Sequence, residues 1–402
     1  MATSAAASAG LTARRLQSVS GAVPAGVRGG RGRPLRVFLC SHDGYGLGHL
    51  RRNTLIAAAT RAAYPTLQAT LVTGVAVDPG WTDGRGVNVL RMPAVLKDAE
   101  GIYRGHGMDA ADALNIRERL FRSAVATEQP DLILVDRHPY GTGGEWRRGL
   151  ELAAAQGAVL VLGLRDVLDE PGAVRAELAG PGWDGVPDLF DEVLVYGSPS
   201  FVDHEREYRL PVRPGYCGWV TDSAPPVQRV PRTMAVAAGG GGDGADVVRL
   251  AVGLVRRRPG WSGVVVAGPY ADARNSMPDD VATRLRVATD VRACAGLFAS
   301  AEAVVQMAGY NSTFEALRAG SRPILAPRRW PRREQAIRAS RLACWGLADV
   351  VDAGASVDEI DWLLDQPRTV TTQTLARAGI TFDGAARTAE HIGALAAARR
   401  AA

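Results

Sequence analysis

Two doubly wound parallel α/β sheets are the fold this sequence predicts, and three observations predict it. Short apolar runs of strand length alternate with stretches of helical spacing from about Leu35 to Val351. A glycine-rich loop follows the first strand of each half, at Ser41 to His49 and again at Gly239 to Gly244. Between the halves, from Val212 to Pro231, prolines and a loss of apolar periodicity mark a linker. A length of 402 residues also exceeds one ordinary domain of ~100–200 residues.

The first half opens with Leu35-Arg36-Val37-Phe38-Leu39-Cys40, the apolar run of a buried strand. It breaks at Ser41-His42-Asp43-Gly44-Tyr45-Gly46-Leu47-Gly48-His49 and resumes as a helix through Leu50, Leu55 and Ile56. Strands follow at 69–72 and 88–90, then a long helix at about 110–127 and a strand over 131–135 that ends at Asp136. A helix at about 145–156 and strands at 159–162 and 192–196 complete this half. The second half runs through a strand at 234–237, the Gly239 loop, a helix to about Arg258, a strand at 264–267 and a strand end at Val304-Val305-Gln306. The chain then turns at Gly309, opens a helix near Ser312, stops it at Gly320 and enters a buried strand at Ile324-Leu325. A helix over 333–344, a short strand at 349–351 and a last helix over roughly 384–400, able to cross back to the first domain, close the chain. The expected divisions are a disordered Ala/Gly/Arg-rich tail (1–34), an N-terminal Rossmann-like domain (35–215), a linker (216–231), a C-terminal Rossmann-like domain (232–380) and the C-terminal helix (381–402).

A net charge of +5 and an isoelectric point near 9.2 invite a nucleic-acid reading. Six of the 47 basic residues, however, are arginines within residues 1–42, a segment without Asp or Glu. The remaining 41 face 42 acids, so the folded part lacks the basic face that general nucleic-acid binding needs. No apolar run approaches the ~18–20 residues of a membrane span, which leaves at most peripheral membrane association. Cys40, Cys217, Cys294 and Cys344 have no metal-ligand spacing and lie in apolar segments, which predicts reduced core thiols and a cytoplasmic setting.

The glycine loops select among ligands. Gly44-x-Gly46-x-Gly48 is not the dinucleotide fingerprint, and the second strand ends at Thr73-Gly74-Val75 with no acid for an adenosine ribose. With Lys97 the single lysine, no phosphate-gripping P-loop is possible. What remains is a diphosphate held by backbone amides at helix N-termini, at Gly240, Gly241 and Gly242 and at Gly309, Asn311, Ser312 and Thr313. A nucleotide-sugar suits that arrangement. Glu315, one turn into its helix, is then placed to accept hydrogen bonds from ribose hydroxyls; alternatively Ser312-x-x-Glu315 is only a capping box.

The segment Gln306-Met307-Ala308-Gly309-Tyr310-Asn311-Ser312-Thr313-Phe314-Glu315-Ala316-Leu317 resembles the C-terminal domain of family 28 glycosyltransferases. Pro323 to Arg328 and Pro331-Arg332-Arg333-Glu334-Gln335-Ala336-Ile337-Arg338-Ala339 extend the likeness, which is strongest to the bacterial subgroup related to MurG. Gly46-Leu47-Gly48-His49 is similar to that family's N-terminal glycine loop, and Gly239 to Gly244 to its central one. The resemblance implies a two-domain GT-B fold, a nucleotide-sugar donor in the second domain and inverting, metal-independent transfer to an acceptor in the first. It also implies that Glu315 holds the ribose and that Glu334 and Gln335 meet sugar hydroxyls. No cofactor is expected, the nucleoside-diphosphate sugar, expected to be UDP-linked, being a co-substrate. The acceptor is a small molecule or lipid-linked, and no nucleic acid is involved.

Inverting transfer needs a base for the acceptor hydroxyl and stabilisation of the departing diphosphate. His49 is the first candidate base or acceptor-positioning group, or else a helix cap or phosphate ligand. Asp136, at its strand end, is the rival base or a loop cap. His42 and Asp43 are possible partners of His49. Gly46, Gly48 and Arg165 fall on the acceptor side, with Arg165-Asp166 equally readable as an internal ion pair. Arg328 and Arg338 could add charge for the leaving group or lie solvated on the surface, and Trp330 and Tyr310 could wall the cleft or simply pack. Two other readings stand beside the transferase: a non-hydrolysing nucleotide-sugar 2-epimerase on the same fold, and a non-catalytic nucleotide-sugar-binding module.

Overall fold

The computed structural model describes residues 33–42, 47–75, 80–82, 85–97, 103–224, 226–239, 244–268, 277–289, 294–330, 332–352 and 354–401. The tail expected over 1–34 lies outside them up to residue 32, as do Asp43, Gly46, Gly240, Gly241 and Gly242.

One sheet comprises β1 (Arg36–Ser41), β2 (Gln68–Thr73), β3 (Asn88–Arg91), β6 (Leu132–Asp136), β7 (Val159–Arg165), β8 (Glu192–Tyr196) and β9 (Gly215–Tyr216). Between β3 and β6, the short strands β4 (Val95–Lys97) and β5 (Tyr103–Gly105) pair antiparallel as a separate ribbon. The large sheet runs β3-β2-β1-β6-β7-β8-β9, with every neighbouring pair parallel. Its central strands are apolar without alternation because helices cover both faces: Val37 to Cys40, Leu132 to Val135 and Leu160 to Leu162 are all buried. The second sheet contains β10 (Val230–Ala237), β11 (Ser262–Val266), β12 (Leu285–Ala288), β13 (Ala301–Gln306), β14 (Ile324–Leu325) and β15 (Asp349–Val350). Its order is β12-β11-β10-β13-β14-β15, again all parallel. Each sheet reverses its strand order beside its first strand, and the crevice outside the carboxyl ends at such a point is where open α/β sheets bind ligands.

Several local expectations need correction. The helix expected near Ser312 starts two residues earlier and spans Tyr310–Arg318, with Gly309 as its N-cap. Sequence analysis missed β12 and the helix Cys294–Ser300, which complete the second sheet's outer crossover. Cys40 and Cys217 are buried as core thiols, but Cys344 is exposed because it ends the helix Glu334–Cys344. Trp330 neither packs nor walls a cleft among the described residues, being 81% exposed. No described helix is long and apolar enough to cross a membrane.

The two sheets face each other through a buried, partly polar seam. Arg338, on the helix Glu334–Cys344, donates from Nε and Nη2 to both oxygens of Asp166 beyond β7, at 3.0 and 2.7 Å. Both side chains are fully buried, and Nη1 donates to the Ala308 carbonyl at 2.9 Å. Asp166 therefore pairs with Arg338 rather than with its neighbour Arg165. Around this pair, Trp219 of the linker, Phe201 and Phe314 pack with ring centroids 4.8–6.2 Å apart, which removes the pair from water. At the seam's edge Arg333 pairs with Glu170 and Arg341 with Glu207. The last helix, Gly384–Ala401, returns to the first sheet: the Tyr64 hydroxyl donates to the Glu390 carbonyl at 3.3 Å, and Ile392 and Ala396 are buried.

Removing one partner of a buried, bidentate pair strands the other charge. Arg338→Ala should destabilise the chain by about 3–5 kcal/mol in urea unfolding, whereas the apolar double replacement Asp166→Leu/Arg338→Met should recover most of that loss. Equal destabilisation by the single and the double variant would show that the pair carries no such cost.

Candidate active site

The carboxyl end of β6 carries Asp136, and the chain after β1 carries His42 and then the helix Gly48–Ala63, with His49 in its first turn. Residues 49 and 52 lie one turn apart and so share a helix face. Both reach Asp136. His49 Nδ1 lies 3.1 Å from Asp136 Oδ1, while Arg52 donates from Nε and Nη2 to Asp136 Oδ2 at 2.9 and 2.6 Å. Burial alone would raise the Asp136 carboxyl, but Arg52 and His49 outweigh it and hold it well below the usual carboxylate range. Asp136 is thus a buried carboxylate whose ionised form Arg52 and His49 favour, facing His49 rather than solvent.

Arg52 Nη2 also lies 2.9 Å from His49 Nδ1. A guanidinium only donates and a carboxylate only accepts, so the proton on this ring nitrogen decides which neighbour it serves. With Nδ1 protonated, His49 turns its N–H toward Asp136 Oδ1 and the lone pair of the ring resides on Nε2. His42 stands alongside, its Nδ1 3.2 Å from the Asp136 carbonyl and its ring centroid 4.5 Å from that of His49. The His138 ring meets that of His42 edge-on, with centroids 4.4 Å apart. Burial, and then the neighbouring imidazole, keep both His42 and His138 well below the ordinary histidine value.

The opposite wall is the start of the helix Tyr310–Arg318. Thr313 N–H already donates to the Gly309 carbonyl at 3.0 Å, so Tyr310, Asn311 and Ser312 present the amides that have no intrahelical acceptor. Ala308, just before them, holds φ +68°, an uncommon left-handed conformation for a residue with a side chain. Asn311 Nδ2 donates to the Gly48 carbonyl at 3.0 Å, which places this helix start directly against the helix that bears His49. The Tyr310 hydroxyl donates to the Tyr196 carbonyl of β8 at 3.1 Å and accepts from the Val220 amide at 3.0 Å. Its ring and that of Tyr196 both lie 5.1 Å from the Arg52 guanidinium. Tyr310 is therefore a packed wall of the site.

Buried polar atoms without a protein partner collect here: both side-chain heteroatoms of Gln306, Asn311 Oδ1, Thr313 Oγ1 and Glu334 Oε2. Unsatisfied groups of this kind are costly in an apolar interior, and a polar ligand satisfies them. Of the residues expected to meet sugar hydroxyls, Glu334 is paired with Arg328 at 2.9 Å, and Gln335 Oε1 accepts from the Arg328 amide at 3.0 Å. Ser312 Oγ donates weakly to the Gly309 carbonyl at 3.4 Å. At the second glycine loop Gly239 holds φ +79°, and a Cβ on Gly244 would stand 2.1 Å from the Ala238 carbonyl oxygen, so both described ends of that loop require glycine. Arg165 ends β7 beside Asp166 and across from Glu334. An open groove of about 720 Å³ over the helix Ala110–Glu128, lined by Met108, Asn115 and Arg119 among others, involves none of these residues.

Glu315 does not close a capping box with Ser312, because Ser312 is the third helical residue and not the cap. It is buried, 3.8 Å from Arg51 Nε, and Arg51 in turn holds Asp222 at 2.5 Å. Burial pushes the Glu315 carboxyl up to about 7; Arg51 opposes this and Asp222 adds to it. A carboxyl raised in the folded state favours folding below its unfolded value near 4.5 and loses that contribution as pH rises through about 7. Wild type should therefore lose on the order of 2–3 kcal/mol between pH 5 and pH 8 relative to Glu315→Gln, which keeps the neutral form. Parallel stability curves for the two proteins across that range would refute the buried carboxyl.

Sequence reasoning named His49 and Asp136 separately and missed Arg52, which joins them; the signal was the three-residue spacing from His49. It also missed Arg51 and Asp222, whose encounter with Glu315 depends on the two domains meeting.

No family model and no curated protein sequence matches the chain. Its architecture, however, is shared by solved structures. The glycotransferase of kitacinnamycin superposes with a TM-score of 0.59 at 15% identity, covering 92% of this chain and 98% of that one. MurG of Acinetobacter baumannii gives 0.53 at 12% identity, covering 92% and 100%. The spinosyn rhamnosyltransferase SpnG, solved in complex with thymidine diphosphate, gives 0.51 at 16% identity, covering 90% and 96%. At these identities the likeness concerns the fold, and over nine-tenths of its length this chain has the two-domain GT-B architecture of those glycosyltransferases.

Proposed function

We propose that this protein transfers a sugar from a nucleoside-diphosphate sugar to an acceptor hydroxyl or other nucleophile, with inversion and without a metal. The observation that carries the reading is the meeting of two walls: a histidine held on a buried carboxylate at 3.1 Å, and a helix N-terminus joined to the same segment through Asn311 and Gly48. The first is the pairing that fixes an imidazole for proton transfer, and the second is an anion-binding terminus. His49 Nε2 takes the acceptor proton as the acceptor oxygen forms its bond to the anomeric carbon on the face opposite the leaving group. The bond from that carbon to the diphosphate breaks, and the free amides at Tyr310 to Ser312 offset the charge that develops. Asp136 steadies the imidazolium. Glu315, at the second turn of the same helix, takes the ribose hydroxyls, and the unpartnered atoms of Gln306 and Thr313 supply further polar contacts to the donor.

The thymidine diphosphate of SpnG belongs to that protein. For this chain we propose UDP as the nucleotide, by the MurG-like run from Gln306 to Leu317. A calorimetric screen of UDP, dTDP, GDP and ADP, without metal, tests the donor site directly. His49→Ala should leave the affinity for the binding nucleotide within about twofold while lowering turnover by ~10²–10⁴-fold. Glu315→Gln should instead weaken nucleotide binding. Absence of binding by every nucleoside diphosphate would overturn the reading.

A further inference from the structure

The carboxylates around the end of the first sheet each already face a cation, although Glu334 keeps its Oε2 without a hydrogen-bond partner. Asp136 is held by Arg52 and His49, Asp166 by Arg338, Glu177 by Arg137 at 2.7 Å and Glu334 by Arg328. Arg165 is left over. Among the described residues its guanidinium makes no hydrogen bond or ion pair, and its Nε is buried without a partner. Burial lowers it to about 10; Glu334 opposes that shift, while Arg338, Arg137 and Arg52 all add to it.

Arg137 stands one strand over, immediately after Asp136. It is 1% exposed, holds φ +75°, and uses only Nη2, on Glu177; its Nε and Nη1 are buried without partners. A left-handed arginine with two unused donors is an expensive arrangement, and a second, half-buried cation nearby makes it more so. Arg137 follows β6 and Arg165 ends the adjacent parallel strand β7, with the Arg137 amide bonded to the Gly163 carbonyl at 2.8 Å, so both lie at the carboxyl edge that faces the second domain. Unused guanidinium forks in such a place match the paired oxygens of a carboxylate or phosphate.

We propose that Arg165 and Arg137 form an oxyanion subsite on the acceptor side of the cleft, so that the acceptor carries a carboxylate or phosphate group. This rests on the transferase reading above for the word acceptor, although the anion site itself does not.

The test titrates the full chain calorimetrically with sodium phosphate and with sodium acetate, at ionic strength matched by chloride, and separately with UDP and dTDP. Phosphate or acetate should bind wild type, and Arg165→Gln should weaken that binding ~10-fold or more through loss of a charge-assisted contact. Arg165→Lys, which keeps the charge without the fork, should fall between the two, and it serves if the glutamine variant fails to fold. Preference for phosphate assigns a phosphoryl group, and preference for acetate a carboxylate. Nucleoside-diphosphate affinity should stay within about threefold in Arg165→Gln, since the donor is held by the other domain. The proposal falls if neither anion binds wild type, if Arg165→Gln binds them as well as wild type, or if nucleotide affinity drops in step with anion affinity. That last result would place these arginines on the donor's diphosphate. Failure of the transferase reading looks different: no nucleoside diphosphate binds while the anion response persists.

Discussion

The Arg338–Asp166 pair is the contact on which the rest of the cleft depends. Its partners are 172 residues apart and belong to different domains, yet neither side chain is exposed. Exclusion of water by Trp219, Phe201 and Phe314 is what lets a bidentate pair hold two domains in one relative position. The third guanidinium nitrogen then fixes the Ala308 carbonyl, and with it the left-handed turn that aims the following helix. Domain contact and the shape of the anion-binding terminus thus share one side chain.

A second arginine organises the other wall. Arg52 lies between the rings of Tyr196 and Tyr310, one from each domain, while both of its donors on Asp136 keep that carboxylate charged. Because Tyr310 also bridges to the Tyr196 carbonyl and the linker amide of Val220, the surroundings of Asp136 and His49 include groups from both sides of the cleft. The histidine is therefore positioned by the assembled two-domain structure and not by the first domain alone.

The parts of this architecture legible in the sequence are those written locally. Buried parallel strands such as Val37 to Cys40 and Leu132 to Val135 are apolar on both faces, and glycines punctuate their ends, so the two doubly wound sheets could be read directly. Strand β12, with Arg286 in four residues, and the three-residue strands of the β4–β5 ribbon carry too short a pattern to stand out. The fates of Arg52, Arg137 and Arg338 were hidden for a different reason. In a chain whose basic residues are almost all arginine, the buried ones are distinguished only by partners that tertiary structure brings to them. The pairing of His49 with Asp136, 87 positions apart, depends likewise on β1 and β6 being neighbours in the sheet.

The return of the last helix to the first sheet has a consequence for how the chain comes to be made. Gly384–Ala401 covers the helix Gly48–Ala63, with Tyr64 bonded to Glu390 and so close to Gly393 that a Cβ there would stand 2.1 Å from its ring. The first domain is synthesised early but lacks one of its covering layers until Gly384–Ala401 has also left the ribosome. Until then the face of the first helix that Ile392 and Ala396 bury has no native cover, and the second domain is complete before the first.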